Sequence, residues 1–127
     1  MERHTFRKSE RLSSRKIITA LFEKGQAFNS YPFKVLWNLD AVLSPFPAQM
    51  CIAVPKKSFR RAHDRNHIKR KTREAYRKNK STLYATLIEK NVKISLLLIY
   101  VAKEDLNYAI IENKMTTLIT QLTKNVA

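Results

Sequence analysis

Apolar residues recur along this chain with two different periods, and the changes of period divide it into elements. Ile17, Ile18, Leu21 and Phe22 fall at i, i+1, i+4 and i+5, one face of a helix. Ser13 or Ser14 can cap its start, and the helix runs to about residue 24. Gly25, the only glycine in the chain, stands where a helix C-cap favours one. The period then drops to two: Phe33, Val35, Trp37 and Leu39 alternate with Lys34, Leu36 and Asn38, a strand with one well-buried face. Ser44-Pro45-Phe46-Pro47 breaks the chain, and a second strand over about 49–54, apolar on both faces, ends at Pro55. Helical spacing returns over about 62–78, where Ile68, Thr72, Ala75 and Tyr76 make one stripe. Residues 82–89 extend this helix or form a second short one. A strongly apolar strand covers 92–102. Ile111, Met115, Leu118 and Leu122, at i, i+4, i+7 and i+11, mark a last helix over about 106–124.

The order is helix, two or three strands, basic helix, strand, helix. A sheet with helices packed on it, an α+β fold, satisfies that order. At 127 residues the chain suits one domain with one core, spanning 1–127, with residues 1–11 as a flexible basic arm. The 44% hydrophobic content is enough to fold, which separates the chain from disordered basic tails. The longest apolar run, Ile94 to Ala102, fits a buried strand and is too short to span a membrane. The N-terminal residues lack the apolar core of a secretory signal. Cys51 is alone, which excludes an internal disulfide and suits a cytoplasmic protein; a small buried strand residue is its simplest role.

Charge changes the picture. Lys56 to Lys80 holds twelve basic residues in twenty-five against Asp64 and Glu74, a local +10 out of +15 for the whole chain. The same segment carries the helical stripe, so the charge sits on a folded surface. Arg65, Asn66, Lys69, Arg70, Arg73 and Arg77 sweep the arc beside that stripe. Surface helices usually mix signs to gain i, i+4 pairs. Self-repulsion on this scale calls for a polyanion, and RNA fits best.

Other chemistry is thin. His63 and His67 share a helix face, but no third ligand stands at useful spacing and the neighbouring arginines repel cations; a metal site on the protein is not expected. The ten acids are scattered, with Glu104-Asp105 the only adjacent pair, suited to the start of the last helix. No convergent carboxylates, Ser-His-Asp set or glycine-rich phosphate loop appears, so catalysis by the protein's own side chains is not expected. Phe22, Phe28, Tyr31, Phe33 and Trp37 suit core packing. Phe22 and Phe33 equally suit base stacking beside basic residues.

Lys56-Lys57, then Arg65-Asn66-His67-Ile68-Lys69-Arg70, then Arg73-Glu74-Ala75-Tyr76-Arg77 resembles the signature of the bacterial ribonuclease P protein subunit. The front half agrees: Arg11-Leu12, a short amphipathic helix ending Leu21-Phe22-Glu23-Lys24-Gly25, then a strand containing Phe33. The match covers roughly residues 7–102; the last helix matches in kind only. The resemblance implies a two-layer α+β sandwich with a left-handed crossover between parallel strands, where general rules favour the right-handed one. It further implies a cytoplasmic protein that binds a catalytic RNA, one protein per RNA and no membrane. Together they remove the 5′ leader of precursor tRNA, and the RNA supplies the active site with its own Mg2+. By the same resemblance Lys56, Lys57, Arg60, Arg61, Arg65, Asn66, His67, Lys69, Arg70, Arg73 and Arg77 face the catalytic RNA, and Phe22, Phe33 and Lys34 are candidates for the leader cleft. Alternation sends Phe33 and Lys34 to opposite faces, and Phe33 is the one expected in the cleft. His67 replaces the family's usual arginine, the loop Ser58-Phe59-Arg60-Arg61 lacks a glycine and is one residue longer, and Ile18 replaces a common aromatic. A structural RNA-binding protein, such as a ribosomal protein, fits charge and size equally but not the front-half match.

Overall fold

The structure, a computed structural model, describes residues 6–39 and 45–127. A 3-10 turn (Lys8–Glu10) precedes α1 (Arg15–Lys24), β1 (Gln26–Ser30), β2 (Phe33–Leu39) and β3 (Ala48–Ala53). Then follow α2 (Ala62–Asn79), α3 (Ser81–Glu89), β4 (Ile94–Tyr100) and α4 (Tyr108–Val126). The four strands form one sheet in the order β1-β2-β4-β3. β2 is antiparallel to both β1 and β4, whereas β3 and β4 are parallel. A parallel pair needs a crossover, and α2 with α3 supplies it. The fold is therefore α+β with a mixed sheet, as expected.

Alternation assigns the side chains of each strand to two faces. Phe33, Val35 and Trp37 of β2, Ala48 and Met50 of β3, and Ile94, Leu96 and Leu98 of β4 all point into the main core, under the apolar stripes of α2, α3 and α4. Each of these eight is at most 3% exposed. The opposite face carries a smaller core in which Leu12, Leu21, Leu36 and Leu97 are buried. The short α1 covers only part of this second face. β2 is thus buried on both sides over Val35, Leu36 and Trp37, more than the single buried face expected, and Leu39 at its end is exposed.

Ser14 caps α1, its Oγ accepting from the Ile17 N–H at 3.3 Å. Gly25 ends the helix, but not through the left-handed conformation that usually selects glycine: its φ is −66°. The reason is contact, because a Cβ there would lie 2.4 Å from the Leu21 carbonyl oxygen. Residues 82–89 belong to a separate helix, α3, divided from α2 at Lys80. β1 brings the strands before α2 to three, the upper end of the expected two or three. It is polar and largely exposed, an edge strand whose register with β2 pairs Gln26 with Trp37 and Ser30 with Phe33.

The expected flexible arm is replaced, over residues 6–11, by a docked segment; residues 1–5 lie outside the described residues. Arg11 bridges to Met50, and the Leu12 N–H donates to the Met50 carbonyl at 3.0 Å, extending the sheet beyond β3. Glu10 is 1% exposed. Its carboxylate accepts from Lys80 Nζ, from Tyr84 Oη at 2.7 Å and from the Arg7 N–H at 2.6 Å. The Phe6 ring meets Tyr76 edge-on at 5.7 Å. A buried ion pair with every oxygen satisfied is a registry device more than a source of stability, and here it fixes where the segment lies.

Candidate RNA-binding surface

Three arcs of α2 follow from its 3.6-residue period. Ile68, Thr72, Ala75 and Tyr76 are buried in the main core. On the flank beside α4, His67 Nδ1 lies 2.8 Å from Asp105 Oδ2, and Lys71 pairs with the same carboxylate. Lys78 sits 5.5 Å from the centre of the Tyr108 ring. Desolvation raises the Asp105 carboxyl, but the hydrogen bonds from Lys71 and His67 outweigh it and hold the group below its ordinary value. The remaining arc carries Lys69, Arg70 and Arg73. None of the three has an acidic partner among the described residues. The uncompensated charge of α2 therefore faces away from α4, toward β3 and the docked N-terminal segment.

The expected RNA-facing residues divide accordingly. Lys56, Lys57, Arg60, Arg61, Asn66 and Arg70 are exposed. Arg77 is engaged by Glu74, with its Nε 3.1 Å from the carboxylate. His67 is drawn to Asp105, the acid expected to serve only the start of the last helix. Asn107 caps that helix instead, accepting from the Ile110 N–H at 3.0 Å. Arg65 turns one guanidinium nitrogen to the carbonyls of Phe59 and Arg60, at 2.8 Å each. It thereby fixes the loop that presents Lys56, Lys57, Arg60 and Arg61. Phe59 anchors the same loop from below, against Tyr100.

On the α1 side of the sheet, Ile17, Ile18, Cys51, Ala53 and Ile99 are only partly covered. This shallow apolar strip is bordered by exposed Lys34 and by α1. Phe22 lies one turn after Ile18 on the same helix flank and is 61% exposed. Phe33 is not part of the strip. It is fully buried on the other face, 5.7 Å from the Tyr100 ring centre, so the expectation that it stacks on a base is corrected. Its neighbour Lys34 takes the accessible face. Among the described residues no group of three or more His, Cys, Asp or Glu side chains converges.

The model of the Ribonuclease P family matches residues 6–123. The chain belongs to the ribonuclease P protein family. Its relatives include the ribonuclease P protein component of Porphyromonas gingivalis, 36% identical over 119 residues, covering 94% of this chain and 87% of that protein. The corresponding protein of Chlorobium phaeobacteroides is 35% identical over 95 residues, covering 72% and 65%. Solved ribonuclease P proteins share the fold. That from Thermotoga maritima superposes with a TM-score of 0.70 at 23% identity, covering 88% of this chain and 96% of its own. That from Staphylococcus aureus gives 0.67 at 24%, covering 92% and 97%. The matched region begins at Phe6, so the docked segment lies within the region the family model describes.

Proposed function

We propose that this chain is the protein subunit of ribonuclease P and works through two surfaces. The unpaired cations of α2 and the lysine–arginine loop before it grip the catalytic RNA, one protein to one RNA in the cytoplasm. The strip between α1 and the sheet, with Phe22 and Lys34 at its border, holds the unpaired 5′ leader of precursor tRNA. The observation that carries this reading is the asymmetry of α2. Asp105 and Glu74 engage His67, Lys71 and Arg77, and leave Lys69, Arg70 and Arg73 to a polyanion. Phosphates would be met by those cations and unpaired bases by the Phe22 ring. Mg2+ held by the catalytic RNA would supply the metal chemistry of cleavage; the protein's part is to bind and orient.

Reconstitution with a bacterial catalytic RNA tests the proposal. At low magnesium the protein should raise cleavage of precursor tRNA well above that of the RNA alone, and protein without RNA should cleave nothing. Tight RNA binding without stimulation would favour a structural RNA-binding role.

A further inference from the structure

The stripe of α2 beside α4 carries His67, Lys71 and Lys78, at i, i+4 and i+11. Each meets a partner on α4 or on the segment leading into it. Asp105 Oδ2 lies 2.8 Å from His67 Nδ1, and Asp105 Oδ1 accepts from Lys71 Nζ. Lys71 donates also to the Leu106 carbonyl at 2.6 Å. Lys78 lies over the Tyr108 ring, whose hydroxyl donates to Glu112 at 2.6 Å. We propose that Asp105 is a specificity-determining residue, which withholds Lys71 and His67 from RNA and so confines RNA to the arc of Lys69, Arg70 and Arg73. The inference rests on the reading of α2 as RNA-binding and adds to it how unrelated RNA is refused.

Two observations carry it. The first is that the capture is complete. Both carboxylate oxygens are used, and the Lys71 side chain is only 15% exposed, whereas a surface lysine ordinarily keeps its ammonium in water. To reach a phosphate, Lys71 would have to break its bonds to Asp105 and to Leu106. The second is that the acid is held in place. Tyr100 Oη donates to the Glu104 carbonyl at 2.7 Å and accepts from the Leu106 N–H at 3.1 Å, fixing the chain on both sides of Asp105.

Stability and the helix dipole do not account for this arrangement. Ion pairs as exposed as this one, with His67 51% and Asp105 33% exposed, add little to stability. The start of α4 is served by Asn107, its cap. What remains is the effect on RNA. A further cation that reaches a phosphate of a single strand steepens the log–log salt dependence by about 0.7 and tightens binding about fivefold at low salt. Phosphates carry no sequence, so that gain would go to any RNA. An RNA docked on the opposite arc loses little when Lys71 is hidden, and unrelated strands lose more, which widens the difference between them.

The test compares binding of the free, full-length protein to poly(U) and to a bacterial ribonuclease P RNA as salt is varied. Asp105→Asn should steepen the poly(U) slope by about 0.7 and tighten poly(U) about fivefold at low salt, while ribonuclease P RNA changes less than about twofold. Glu89→Gln removes the same charge from the exposed end of α3 and should leave the poly(U) slope unchanged. Adding Lys71→Gln to Asp105→Asn should return the slope to that of the unaltered protein. Should Asp105→Asn fail to fold, two single substitutions decide. Lys69→Gln should make the poly(U) slope shallower by about 0.7, and Lys71→Gln, two positions away, should leave it unchanged. An unchanged slope in Asp105→Asn, equal effects of Asp105→Asn and Glu89→Gln, or equal slope losses in Lys69→Gln and Lys71→Gln would each overturn the proposal. A protein that stimulates the catalytic RNA and gives one of those three results sinks the role of Asp105 alone; one that neither binds nor stimulates that RNA sinks the RNA-binding reading beneath it.

Discussion

Phe33 and Lys34 show how one residue of phase decides a role. Strand alternation separates their faces from sequence alone, but not which face carries the thicker layer of helices. The larger ring goes to the larger core, and the lysine keeps its ammonium in water. Phe33→Ala should therefore cost about 3–5 kcal/mol through loss of a fully buried ring. Lys34→Ala should leave the melting temperature within about 2 °C, a surface change within ±0.5 kcal/mol, while weakening precursor tRNA binding. Thermal melts of the two variants check the first half, and matching losses of stability would reverse the assignment of faces. Gly25 teaches the same lesson. Its position was legible, but its reason, the Leu21 carbonyl against a would-be Cβ, is a contact that sequence does not display.

Among the elements, α2 was the most legible because stripe and charge are both periodic. Its buried residues are the four the wheel selects. Ile68→Ala should destabilise by about 2–4 kcal/mol by opening a cavity. Arg70, exposed and without an acidic partner among the described residues, should on change to Ala leave denaturant midpoints unchanged and weaken binding of the catalytic RNA. What the wheel could not show was the division of the polar arc. His67 and Lys71 are engaged by Asp105, thirty-eight and thirty-four positions away.

The N-terminal segment was illegible for a related reason. A polar, basic stretch reads as an arm unless Glu10 is known to meet a buried lysine. Glu10 makes this testable by pH. Burial raises its carboxyl, but the Arg7 N–H and the Lys80 and Tyr84 contacts together hold it below the ordinary value of 4.5. A depressed carboxyl contributes stability that is fully present above the unfolded value and lost as pH falls through the folded one. Stability should thus decline as pH drops below about 4.5, and the decline should be shallower in Glu10→Gln, at the cost of lower stability at neutral pH. Unfolding midpoints across pH 3–7 for both proteins check this. Parallel curves would mean that the Glu10 carboxylate does not hold the segment.

For the whole molecule, the layer order explains how one small domain presents two surfaces. The main core fastens α2, α3 and α4 to one face of the sheet, and α2 turns its unpaired arc toward the β3 edge. The thin second layer, α1 with Leu12 before it, leaves a strip of the other face open. The α+β class could be read from the order of periods, and the crossover between parallel strands was implied by the family resemblance. The strand order and the polar edge strand β1 could not be read there, because Gln26 to Ser30 carries too little apolar signal to mark a strand. The central claim is that the two surfaces act on different RNAs. Holoenzyme affinity for precursor and mature tRNA, measured with the Phe22→Ala and Arg70→Ala proteins at saturating catalytic RNA, tests it most directly. Phe22→Ala should lose about 1–3 kcal/mol of precursor binding, the value of one stacked base, with mature tRNA unchanged. Arg70→Ala, once its weaker assembly is saturated, should bind both tRNAs as the unaltered protein does. Equal losses for precursor and mature tRNA in Phe22→Ala, or a precursor-only loss in Arg70→Ala, would contradict the division of the surface.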